Sequence, residues 1–278
     1  MDGWSAIRRL HPCIARRGVL TGALLLIAGS ASAQTVTPPL ASNRPGIGES
    51  EALVGRGVLQ IEGGIQAEEG PPGGDRGWTQ TWGQLNIRVG VRARIEIFAG
   101  WDGLSLDRIH TNGESRIIAG GNDLRIGTKL AVLSEDRHGL TLSVAPAWSF
   151  PVGSEEFTSS SNDGSFRLMW ARSLPRDWSV SGNLLFTRTS DEAGRYWDNG
   201  AMVGVTRALT STVSAFAEVS GVLLADRPDA WTLDAGLAWV ARPNLQWDVS
   251  AGHTFHDRGD DWFVSAGITL RRPNRTSP

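Results

Sequence analysis

Cysteine is all but missing from this chain: the only one, Cys13, lies in the leader that opens it. Beyond the leader the chain therefore has no disulfide, no thiolate metal site and no thiol to carry a lipid anchor. Tyrosine is equally scarce, at one residue. Long apolar runs are lacking too. After the leader nothing approaches the roughly 18 consecutive apolar residues of a membrane helix, so helical spans are excluded. Positive charge is not in surplus either. The chain has 27 basic and 29 acidic residues, and removing residues 1–33 leaves 23 against 28. No basic field remains to hold a nucleic acid, and none is expected as a partner.

The leader itself is informative. Arginines 8, 9, 16 and 17 precede an apolar run from Val19 to Ala28 and then Ala31-Ser32-Ala33. That order reads as a signal peptide over residues 1–33, cleaved after Ala33, and it directs the chain out of the cytoplasm. Residues 34–56 (QTVTPPLASNRPGIGESEALVGR) hold prolines and turn formers without any sustained period, and are read as a periplasmic lead-in.

From residue 57 to residue 272 the chain alternates. WTLDAGLAWV places Trp231, Leu233, Ala235, Leu237 and Trp239 on one face of a strand and Thr232, Asp234, Gly236 and Ala238 on the other. The same two-faced design recurs in LQIEGGIQAE, QLNIRVGV, RIEIFAGW, NDLRIGTKLAVL and on through DWFVSAGITLR, giving twelve strands and a tail at 273–278. Long polar connections near 68–78, 102–121, 151–164, 189–197, 224–230 and 255–260 alternate with tight ones such as LPRD, LTST and RPN. Alternation of this kind with an even strand count places both mature termini on the periplasmic side.

A soluble sandwich also alternates, with its greasy faces meeting inside. Three features favour lipid. Strands of about 9–12 residues match a tilted crossing of a bilayer. Trp101, Trp148, Trp170, Trp178, Trp231, Trp239, Trp247 and Trp262 lie near strand ends on the apolar parity, where interfacial anchors are expected. The opposite parity mixes glycines (Gly64, Gly90, Gly127, Gly236, Gly252, Gly267) with charges of both signs: Glu62, Arg88, Arg94, Glu96, Asp123, Arg125, Lys129, Arg167, Glu218, Asp234 and Asp248. The reading is an all-β fold, an antiparallel up-and-down transmembrane β-barrel of about twelve strands, with these charges lining its lumen.

Such charges line a polar conduit or pair to hold a narrow lumen shut, and the sequence leaves both open. Arg88, Arg94 and Glu96 are placed to form a ladder near one mouth. An enzymatic alternative is a lipid hydrolase with Ser and His on the lipid side. His253 is on the apolar parity, but Ser250 and Ser265 fall on the other, and no catalytic residue is assigned. No cofactor, metal site, nucleotide motif, energy-coupling segment or plug domain is expected.

NRPGIGESEALVGRGVLQIEGG followed by LNIRVGVRARIEIFAGW resembles the opening of the transporter-like outer-membrane family described as "putative MetA-pathway of phenol degradation". Arg44, Pro45, Ser50, Gly57, Gln60, Glu62, Gly64, Arg88, Gly90, Arg94 and Glu96 carry the resemblance. Asn43 replaces an acidic residue, and the last strand ends Leu270-Arg271-Arg272-Pro273 instead of on an aromatic residue. The resemblance implies an outer-membrane transporter of small, hydrophobic or aromatic molecules. Its implied partners are the lipid bilayer, the outer-membrane assembly machinery and a solute that the sequence does not name.

Overall fold

The computed structural model describes residues 39–69, 76–111, 114–191, 194–223, 230–256 and 259–272. The expected signal peptide at residues 1–33, residues 34–38 and the expected tail at 273–278 lie outside them. The alternating segments are strands: β1 (Leu59–Glu69), β2 (Arg76–Arg92), β3 (Ile95–Trp101), β4 (Leu104–Thr111), β5 (Glu114–Gly121), β6 (Leu124–Leu133), β7 (Thr141–Phe150), β8 (Asp163–Leu174), β9 (Trp178–Asp191), β10 (Gly194–Ala208), β11 (Val213–Leu223), β12 (Ala230–Arg242), β13 (Leu245–His256) and β14 (Gly259–Arg272). A helical turn, α1 (Glu135–His138), joins β6 to β7.

Every neighbour is antiparallel, and the sheet closes because β1 pairs with β14 on one side and β2 on the other. Leu59 opposes Arg272 at one seam and Val89 at the other. The long β2 pairs with β3 along one half and with β4 along the other. β3 and β4 are thus one stave interrupted at Asp102-Gly103, and β5 and β6 are one stave interrupted at Asn122-Asp123. At the first break Gly103 has φ 89°, and a Cβ there would run into the Trp82 carbonyl, so no other residue fits without strain. The fourteen segments make twelve staves, as the alternation predicts.

The connections depart from expectation. Residues 102–121 form no loop: Leu104–Thr111 and Glu114–Gly121 pair as a hairpin that rises above the neighbouring staves and is held against β2. β1 runs on to Glu69, β9 to Asp191 and β13 to His256, so several expected loops shrink to a few residues. The physical reason is that strand pairing satisfies backbone groups in water as well as in lipid, so nothing obliges the ladder to stop at the membrane surface. One end of the barrel is thus a short-turn rim and the other a long-connection rim.

Sidedness is the reverse of a soluble protein. Ile65, Val89, Ile97, Ile126, Leu184, Val203, Leu233, Leu237, Val249 and Val264 are exposed, while Arg88, Glu96 and Lys129 have no exposed surface. Trp148, Trp231 and Trp262, joined by Trp82 and Trp197, band the long-connection side; Trp178, Trp239 and Trp247 band the short-turn side, where Trp239 and Trp247 face each other across β12 and β13. Two of the expected anchors are only half-buried. Trp170 lies flat over Gly182, and the Trp101 indole N–H donates to the Asn122 carbonyl at 3.0 Å.

The belt makes a direct prediction. Ala235 sits on the lipid face midway between the Trp231 and Trp239 bands, so Ala235→Arg is expected to cost about 2–4 kcal/mol near the midplane. Urea unfolding of vesicle-inserted protein, followed by tryptophan fluorescence, reads that loss; an unchanged midpoint would mean the face does not meet hydrocarbon.

Candidate functional site

The interior is not an empty conduit, and the expectation of a periplasmic lead-in without a plug is wrong. Residues 41–58 enter the barrel at the short-turn rim, climb to about mid-height, turn and return to the same rim before β1 begins. We call this segment the strap. It contains no strand or helix of its own, and its backbone polar groups are satisfied by side chains of the inner wall, as buried backbone requires.

On the ascending limb the Ala41 carbonyl accepts from Gln60 Nε2 at 2.8 Å and Arg88 Nη1 at 3.0 Å. Ser42 Oγ meets Thr269 Oγ1 at 2.7 Å, and the Asn43 amide donates to Glu62 at 3.1 Å. Arg44 lies against the wall formed by β13, β14, β1 and β2: Nε reaches Asp248 at 3.2 Å, Nη1 reaches Gln84 at 3.0 Å and Nη2 reaches Ser265 at 2.7 Å. Its guanidinium occupies the space that a side chain at Gly64 or Gly267 would fill.

The tip is Gly46-Ile47-Gly48-Glu49. The Gly48 amide donates to Glu218 at 3.0 Å and the Glu49 amide to Asn183 Oδ1 at 2.9 Å, while the Glu49 carboxylate faces Arg167 at 3.5 Å and Arg125 at 3.7 Å. On the descending limb Lys129 Nζ donates to the Ser50 carbonyl at 2.7 Å, and Ser143 Oγ donates to the Glu51 carbonyl at 2.6 Å. Arg88 Nη2 donates to the Ala52 carbonyl at 2.7 Å, and the Val54 amide donates to Glu96 at 2.8 Å. The limb leaves where Gly57 pairs with Gly90, whose missing side chain makes room for Gly55.

Beneath the strap lies a fixed charge ladder, but not the expected one. Arg88 holds Glu62 at 2.9 Å and Glu96 at 2.6 Å, with all three buried. Arg94 is not in it. It lies in the exposed β2–β3 turn, because a bulge between Gly90 and Arg92 ends the alternation before it. Asp123 does not line the lumen either. It sits at the break between β5 and β6 and accepts from the Gly153 amide at 3.0 Å and the Ser159 amide at 2.9 Å, tying down the β7–β8 connection. Burial acts to raise its pKa, but the Ser159 and Gly153 amides outweigh that and hold it below the usual aspartate value.

The remaining expected lumen residues face inward, and they are segregated. Arg125, Lys129 and Arg167 project from β6 and β8, whereas Glu218, Asp234 and Asp248 project from β11, β12 and β13. The strap runs between these walls, amides toward the acids and Glu49 toward the bases. Asp234 is 2 % exposed, and among the described residues neither of its carboxylate oxygens has a hydrogen-bond partner. Sequence reasoning missed Arg44, Glu49, Asn183 and Arg271 as interior residues. Arg271 Nε donates to Gln60 at 2.8 Å, extending the Glu62–Arg88–Glu96 ladder into the last stave.

On the lipid side His253 meets Phe255 edge-on, with ring centroids 4.3 Å apart, and packs at a tilt against Trp262, with centroids 4.1 Å apart. Ser250 and Ser265 face the strap, bonded to the Pro45 carbonyl and to Arg44. Neither serine is set beside that imidazole.

The strap divides the space inside. A cavity of about 380 Å³ opens toward the short-turn rim, lined by hydroxyls including Ser179, Ser181 and Ser214. On the other side of the tip are cavities of about 300 and 360 Å³.

The model of the family described as "Putative MetA-pathway of phenol degradation" matches residues 42–271, from the second residue of the strap to the end of β14. The chain belongs to that family. The matched span takes in strap and barrel together, and the residues that carry the resemblance now have places. Arg44, Gly64, Gln60, Glu62, Arg88, Glu96 and Gly90 are the strap's anchoring arginine and the socket that receives the strap. No curated protein matches by sequence. Among solved structures the chain is similar to the KdgM porin (12 % identity, 76 % of this chain and 98 % of that one, TM-score 0.48). It is also similar to the beta domain of the Bordetella autotransporter BrkA (16 %, 77 % and 99 %, TM-score 0.49). A third is the CymD monoaromatic hydrocarbon channel (10 %, 78 % and 88 %, TM-score 0.45). Likeness at this level, to barrels of such different names, concerns the barrel fold and not what passes through this family member.

Proposed function

We propose that this family member is a gated outer-membrane channel for small solutes, in which the strap closes the lumen and opens it by withdrawing toward the short-turn rim. In this reading the signal peptide is removed after Ala33, the assembly machinery inserts the barrel, both mature termini are periplasmic, and passage is passive. The observation that carries it is that both limbs of the strap leave by one rim and none of its residues from 41 to 54 belongs to the sheet. Withdrawal therefore leaves every stave paired, and the wall charges it exposes pass into water instead of into a dry core. A second reading, a barrel permanently shut and serving as a structural or adhesive element, is favoured by the buried Glu62–Arg88–Glu96 ladder, an arrangement that also suits a fixed plug.

The two readings separate on one disulfide. Ser42 Oγ and Thr269 Oγ1 are 2.7 Å apart, and no cysteine exists beyond residue 13. In Ser42→Cys/Thr269→Cys protein the oxidised form is expected to be silent in planar bilayers, and reduction is expected to raise the mean current about tenfold or more as the ascending limb is freed. Equal currents in the two redox states would mean the strap is not the gate. Silence in both would favour the shut barrel.

A further inference from the structure

We propose that the space just beyond the strap's tip is a binding site for an organic anion with an apolar body, such as an aryl or alkyl carboxylate. This deepens the channel reading by naming its solute class.

The anion half of the site is built from Arg125 and Arg167. Both face the single carboxylate of Glu49, at 3.7 and 3.5 Å, which is outside ordinary hydrogen-bond distance for either. Arg167 Nη1 spends one donor on Asn183 Oδ1 at 3.1 Å, whereas Arg125 Nε is buried and without a hydrogen-bond partner among the described residues. Two guanidiniums carry ten N–H donors between them, and one carboxylate beyond ordinary hydrogen-bond distance leaves donors in excess. Orphaned buried donors such as Arg125 Nε are rare in native interiors, and each calls for a partner. Arg125 and Arg167 both line the 300 Å³ cavity.

The apolar half adjoins it. Ile47, 42 % exposed at the tip, lines both cavities, as does Arg167. The 360 Å³ cavity continues from them along Leu185, Met202 and Val222, with Thr232 and Thr254 hydrogen-bonded to each other instead of presenting free hydroxyls. Each cavity lies in the range of roughly 300–1,000 Å³ typical of small-molecule pockets, and together they offer a cationic end and a greasy end in one space. Glu218 and Asp234, the acids of the opposite wall, line neither cavity; besides Glu49, the acids that line the first are Glu62, which Arg88 holds at 2.9 Å, and Asp102 at the break between β3 and β4, with Arg44 as a third cation. Because Ile47 and Glu49 contribute from the strap itself, an occupant touches the gate as well as the wall.

Isothermal titration of refolded full-length barrel in detergent tests this with benzoate, acetate, toluene and benzylamine as probes. Benzoate is expected to bind at least about tenfold more tightly than any of the other three, since only it satisfies both halves. Arg125→Gln and Arg167→Gln are each expected to weaken benzoate about tenfold, with heat-modifiable gel mobility reporting that the barrel is intact. Leu185→Asn, which leaves the cations in place, is expected to narrow the gap between benzoate and acetate. Benzoate affinity unchanged by both arginine variants would overturn the proposal, as would equal or tighter binding of toluene or benzylamine, or no binding of any probe. The outcome is separate from gating: benzoate binding with redox-insensitive current in the Ser42→Cys/Thr269→Cys protein removes the strap as gate, and benzoate binding with silence in both redox states sinks the channel reading, while either result leaves this site standing.

Discussion

Deleting residues 42–52 is expected to turn a mostly silent barrel into a steadily conducting one, with mean current rising by well over about tenfold in planar bilayers. The expectation rests on where the strap sits. A twelve-stave barrel has a backbone diameter on the order of 25 Å, too wide for wall side chains alone to fill. Here the tip, with Ile47 and Glu49, stands inside the barrel, and strap residues line the cavities on both sides of it. Removing the strap is expected to join them. The deletion also strips carbonyl partners from Lys129 and Ser143, yet these groups then meet water, so the barrel is expected to remain folded and heat-modifiable on gels. A folded deletion variant as silent as the parent would show that some other element closes the lumen.

The second large effect concerns Arg88. It is fully buried, holds Glu62 at 2.9 Å and Glu96 at 2.6 Å, and donates to the carbonyls of Ala41 and Ala52, one on each limb of the strap. Arg88→Met leaves two buried carboxylates without the cation that hydrogen-bonds them both, and breaking a buried pair in this way costs about 3–5 kcal/mol. Urea unfolding in vesicles is expected to show that loss. The triple variant Glu62→Gln/Arg88→Met/Glu96→Gln removes the stranded charges along with their partner and is expected to recover much of it. Both variants lose the two carbonyl clamps, so both are expected to leak more current than the parent. If Arg88→Met were as stable as the parent, the ladder would be open to water and not sealed beneath the strap.

Much of this fold is legible in the chain, and the reason is the sharpness of the parity rule. A residue on a membrane strand meets either hydrocarbon or the lumen, so Asp234 in WTLDAGLAWV has only one place to go, and it is found inside at 2 % exposure. The rule fails where the alternation does. Arg94 comes after a bulge and falls in a turn, and Asp123 occupies a break between two strand segments. Residues 102–121 keep the alternation, with Ser105 and Asp107 buried opposite Leu104, but their polarity and glycines disguise a hairpin as a loop. The strap is invisible for a different reason. An extended segment held by side chains reaching to its backbone needs no periodicity in its own sequence, so RPGIGES has no pattern to read. Its trace lies elsewhere, in inward glycines such as Gly64, Gly90 and Gly267 that a barrel filled only by its own side chains does not need.

The strap also bears on the order of assembly. Ser42 bonds to Thr269 across 227 residues of sequence, and Arg44 bonds to Ser265 and Asp248 on the last two staves. Contacts so remote along the chain form late, because the loop between them must first be ordered. The segment that precedes the first stave in the chain is therefore expected to be among the last to find its seat, leaving the newly closed cylinder unfilled until it does.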